Sequence, residues 1–85
     1  MEILINISEY NPETGFKFLW EDGFEISTHV EGNKIVLLAN KAGLISMAKH
    51  LLSLAQDEYY SGYHFHLDEY NSLEEGSVEL VIGKL

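Results

Sequence analysis

Apolar and polar residues alternate with a period of two over much of this 85-residue chain, and in one stretch the period lengthens to between three and four. Ile3, Ile5 and Ile7 alternate with Glu2, Leu4 and Asn6, a pattern that predicts a strand with one buried face. The run from Asn11 through Pro12, Glu13 and Thr14 to Gly15 supplies turn chemistry, because proline fixes one φ and glycine permits a positive one. Phe16, Phe18 and Trp20 form a second alternating set. The Glu21, Asp22, Gly23 turn then leads into Phe24, Ile26, Thr28 and Val30. After a tight turn at Glu31, Gly32 and Asn33, residues 35–39 are apolar on both faces, which predicts a central strand covered on its second side.

That cover is expected from residues 40–56. Asn40 is a suitable N-cap, and Leu44, Met47, Ala48, Leu51 and Ala55 fall on one helical stripe that Ile45, Leu52 and Leu54 widen. Lys41, Lys49, His50 and Gln56 fall off it. Gly43 is the weak point, since glycine inside a helix costs about 1 kcal/mol relative to alanine. Beyond Ser61 and Gly62, the residues Tyr63, Phe65 and Leu67 alternate with His64, His66 and Asp68. Val78, Leu80 and Ile82 repeat the pattern after a turn-rich, acidic connection. The whole predicts one α+β domain over residues 1–85, a six-stranded, mainly antiparallel sheet with one helix packed on a face, in the order β-β-β-β-α-β-β.

Charge changes the picture most. Fourteen carboxylates face five lysines, with no arginine, for a net charge of −9. A field of that sign repels phosphate, so neither nucleic acid nor an anionic membrane is an expected partner, whereas encounter with a basic protein is accelerated. Acidity that only maintains solubility is the plain alternative. No apolar run approaches the length that crosses a bilayer, and no basic-then-apolar leader opens the sequence, so a cytoplasmic location is expected. The lack of cysteine excludes a disulfide framework and a thiolate metal site.

Few constellations carry chemistry. His64 and His66 share a strand face at a spacing that permits metal chelation, but a third ligand would have to come from His29, Glu25 or Glu79 on a neighbouring strand. A metal-binding or hydrolytic domain centred on these histidines is therefore the alternative reading. There is no nucleophile elbow, no phosphate-cradling loop and no dinucleotide fingerprint, and no cofactor or enzymatic activity is expected. The carboxylates are more informative, because seven of them lie between Asp57 and Glu79, a span without lysine, interleaved with Tyr59, Tyr60, Tyr63 and Tyr70. Tyrosines bury a large area at low entropic cost and still end in a hydroxyl, so rings among carboxylates suit a cationic protein surface. The candidate partner-binding residues are Tyr59, Tyr60, Asp68, Glu69, Tyr70, Glu74 and Glu75.

The run Gly62-Tyr63-His64-Phe65-His66-Leu67-Asp68, followed by Leu73-Glu74-Glu75-Gly76-Ser77-Val78-Glu79-Leu80-Val81-Ile82, resembles the C-terminal signature of small bacterial immunity proteins of the kind called immunity protein family 32. The likeness covers about the last quarter of the chain. It implies an inhibitor of a cognate polymorphic or contact-dependent growth inhibition toxin, often a nuclease. His64 and His66 would then be structural, and the acidic residues would meet lysines and arginines of a basic toxin domain.

Overall fold

The computed structural model describes residues 2–85. Strands β1 (Ile26–Glu31) and β2 (Lys34–Ala39) come first, then helix α1 (Lys41–Leu54), then strands β3 (His64–Leu67) and β4 (Leu80–Gly83). The fold is α+β, but the strands form two separate antiparallel ribbons, β1–β2 and β3–β4, instead of the expected six-stranded sheet. Residues 2–7 and 16–20, expected as strands, adopt no regular element.

The reason lies in where the backbone groups of the N-terminal segment find partners. A strand needs another strand's N–H and C=O beside it, and residues 8–21 instead meet side chains of α1, of Gln56 just beyond it and of Tyr63. The Leu19 N–H donates to His50 Nε2 at 2.9 Å and the Glu21 N–H to Ser46 Oγ at 2.8 Å. The Ser8 carbonyl accepts from Ser53 Oγ and from Gln56 Nε2, and the Tyr10 N–H donates to Gln56 Oε1. The segment is thus fastened by polar residues 46, 50 and 53 of the helix and by Gln56 just beyond its C-terminus, which recur every three or four residues. Phe16, Phe18 and Trp20 still point together, packing on the core of Ile26, Met47, Leu54, Tyr59, Phe65, Leu67 and Leu73.

That fastening also turns the helix. Its buried residues are Gly43, Ser46, Met47, His50, Ser53 and Leu54, while Leu44, Leu51 and Leu52 of the expected apolar stripe are exposed. Asn40 starts the helix as expected, with its Oδ1 accepting from the Gly43 N–H at 2.8 Å and from the Glu25 N–H at 3.0 Å. Gly43 is required because a Cβ there would stand 2.5 Å from the Glu25 carbonyl oxygen and 2.9 Å from Ile26 Cγ1, so α1 lies directly on the start of β1.

The β1–β2 hairpin closes through Gly32, whose φ of 62° is the conformation a two-residue hairpin loop demands of its first residue. β2 was expected at the centre of a sheet, and it is an edge strand. Its apolar side chains on both faces are therefore largely exposed. On the far side of β1, the Glu74 N–H donates to the Ile26 carbonyl at 2.8 Å and the Val78 N–H to the Thr28 carbonyl at 3.1 Å. Residues 74–78 thereby tie the second ribbon to the first.

Candidate functional site

The connection between β3 and β4 is acidic, and it is held by its own side chains. Asp68 organises it: its carbonyl accepts from the Leu73 N–H at 2.8 Å, and its Oδ1 accepts from the N–H groups of Tyr70 and Asn71. Asn71 answers from the other side, accepting from the Asp68 N–H at 3.0 Å and donating from Nδ2 to the His66 carbonyl. Glu69 Oε2 accepts from the Gly76 N–H at 2.8 Å, and Gly76 takes a φ of 86°. Leu73 is buried in the core beneath this arch. Residues 68–77 therefore form an ordered platform whose backbone donors are largely satisfied from within.

What the platform presents is side chains. Tyr70 is 90% exposed although its N–H is fixed to Asp68, so a large ring stands free on a constrained backbone. Glu69, Glu74 and Glu75 are exposed, and Asp68 is half-buried. Glu74 also opens on a shallow groove of about 230 Å³ lined by Glu25, Ser27, Leu38 and Asn40. Glu25 is thus brought beside the expected set. No local pattern pointed to it, because its position depends on residues 74–78 pairing with β1.

Two tyrosines leave the set. Tyr59 was expected at the surface, and its ring is 3% exposed, edge-on to Tyr10 at 4.9 Å and near Tyr63 at 4.8 Å. Burial of that ring, followed by its proximity to Tyr63, pushes the hydroxyl pKa up. Tyr60 is 68% exposed, but it precedes β3 whereas the platform follows it. The four residues of β3 put roughly 13 Å of extended chain between them. The surface that the sequence suggested as one is therefore the platform, with Tyr60 at the other end of the ribbon.

His64 and His66 do share the exposed face of β3, with ring centroids 5.1 Å apart. His64 Nδ1 lies 2.9 Å from the Gly62 carbonyl, and His66 Nδ1 lies 3.3 Å from Glu79 Oε2. Among the described residues, no group of three or more histidines and carboxylates converges as a metal ion would need.

His50 is the titratable group that sequence reasoning placed on the wrong side of the helix. It is 1% exposed and sits edge-to-face with Trp20 at 4.4 Å and Phe18 at 5.0 Å. Because Nε2 accepts the Leu19 N–H, the ring is neutral and carries its proton on Nδ1, which has no hydrogen-bond partner among the described residues. Burial, helped by the neighbouring Lys49 charge, lowers its pKa to about 4. This is a structural histidine.

The family model described as Immunity protein 32 matches residues 34–85, from β2 to the last residue. The chain belongs to the Immunity protein 32 family. No curated protein and no solved structure matches it. The match takes in β2, α1, both strands of the second ribbon and the whole acidic platform, which are the parts of this Immunity protein 32 member that Gly43 and residues 74–78 lock to β1.

Proposed function

We propose that this Immunity protein 32 member binds a cognate toxin in the cytoplasm of the producing cell and neutralises it through the acidic platform of residues 68–77. The toxin is a nuclease whose basic, phosphate-binding cleft receives the carboxylates. Inhibition needs no catalysis by the immunity protein.

The observation that carries this reading is the platform's internal hydrogen bonding. A loop that is ordered before contact loses little entropy on binding, so Glu74, Glu75 and the ring of Tyr70 can spend their interactions on the partner. Charged rims steer encounter, and a tyrosine among them supplies apolar area. The net charge of −9 gives the same sign to the long-range field.

Co-expression tests the reading directly. The toxin domain encoded beside this gene should arrest growth, and the wild-type chain should restore it. A Glu74→Lys, Glu75→Lys chain should fail to protect while remaining folded, because both side chains are exposed and the Glu74 N–H still reaches Ile26. Full protection by the double variant would move the interface elsewhere.

A further inference from the structure

The β1–β2 ribbon keeps one edge open. Thr28 directs its N–H to Ser77 Oγ and its carbonyl to the Val78 N–H, and the Ile26 carbonyl accepts from Glu74, so these groups point away from β2. In an antiparallel ladder the direction alternates, so Ser27, His29 and Glu31 face β2, and their partners Leu38, Val36 and Lys34 face back. Ile35, Leu37 and Ala39 consequently aim their N–H and C=O groups outward. Among the described residues, no backbone group meets them.

Edges of this kind are normally blunted by proline, a bulge, charge or a covering segment. β2 has no proline and pairs with β1 through six consecutive residues without a bulge. Its one charge is Lys34, at its first position. Ile35 is 77% exposed, Leu38 58% and Leu37 38%. Residues 32–56 contain three lysines and no carboxylate, so the strand itself adds no negative charge to such a contact.

We infer that β2 is a self-association edge that pairs antiparallel with β2 of a second copy about a two-fold axis through Leu37. In that register Leu37 faces Leu37, Ile35 faces Ala39 and Val36 faces Leu38, so every outward N–H and C=O of Ile35, Leu37 and Ala39 gains a partner. Lys34, the one charge within the strand, falls opposite the uncharged Asn40. The self-complementarity of the register is what favours a second copy over an unrelated strand. The two ribbons become one sheet continuous across the axis.

Sedimentation equilibrium of the full chain, from low micromolar to millimolar concentration, tests this. A monomer–dimer equilibrium is expected, strengthening as salt rises because screening relieves repulsion between two chains of net charge −9. Toxin binding through the platform would weaken with salt, so the two readings fail independently. Leu37→Lys sets two ammonium groups against each other on the axis and should raise the dissociation constant at least about tenfold. Ile35→Lys, at the most exposed apolar position of the strand, provides a second variant should Leu37→Lys not fold. A chain monomeric at every concentration, a dimer indifferent to both substitutions, or slowed exchange of the Ile35, Leu37 and Ala39 amides only in a toxin complex would each overturn the inference.

Discussion

Two stretches of this chain face solvent with opposite chemistry. Residues 57–79 hold seven carboxylates and no lysine, whereas residues 32–56 hold three lysines and no carboxylate. Within the acidic stretch the loop from Asp68 to Ser77 satisfies most of its own backbone donors, with side-chain oxygens of Asp68, Glu69 and Asn71 accepting from N–H groups of the same loop. In the other, alternate backbone groups of β2 have no partner among the described residues. A loop complete in its backbone can offer a partner only side chains, and a strand open along its edge offers hydrogen bonds first. One chain of modest size thus carries the two surfaces proposed above for recognition, and they differ in what they can offer a partner.

The contrast can be attacked most strongly in the core. Leu73 is 4% exposed beneath the platform, so Leu73→Ala should cost about 3 kcal/mol of folding stability by chemical denaturation, the usual size for a buried leucine. It should also weaken toxin binding without touching a carboxylate. Binding unaffected by this change would mean that presentation of the loop is unimportant.

Acidification strikes the core from the other side. His50 has a folded-state pKa of about 4 against an ordinary value of 6.5, so the unfolded chain binds more protons between these values. Stability from this group is therefore complete above pH 6.5 and is lost as pH falls toward 4, by about 3 kcal/mol. In a His50→Gln chain, which retains an acceptor for the Leu19 N–H, that part of the pH dependence should vanish. An identical pH profile in both chains would assign the effect to the carboxylates.

A smaller change separates the ordering of the loop from its charge. Asn71→Ala removes the acceptor of the Asp68 N–H and the donor to the His66 carbonyl, at a cost of about 1–2 kcal/mol. Toxin dissociation should quicken, and the open edge of β2 should be unaltered. Equal exchange rates for the loop amides in variant and wild type would remove Asn71 from this role.

What the sequence made legible was local. The hairpin at Gly32, the Asn40 cap and the alternation of β3 each follow from a few adjacent residues, and each is present. The misplaced parts depend on distant partners. Phe16, Phe18 and Trp20 alternate like a strand, yet their segment is bound by Ser46 and His50, polar residues that a hydrophobic stripe assigns to solvent. β2 is as apolar as a central strand, yet among the described residues β1 is the one strand that pairs with it. At the site, the exposed carboxylates and Tyr70 were readable from the acidic run. The burial of Tyr59 and the arrival of Glu25 beside Glu74 were not, because both are set by tertiary packing.

The proposed contact between the acidic platform and a positively charged toxin surface is tested most directly by the association rate. Stopped-flow mixing of the wild-type chain with the toxin should show an on-rate that falls at least about tenfold as salt shortens the Debye length from ~10 Å at 0.1 M toward ~3 Å at 1 M. The Glu74→Lys, Glu75→Lys chain should associate slowly throughout, with a flatter salt dependence. An on-rate that is the same in both chains and indifferent to salt would contradict the account.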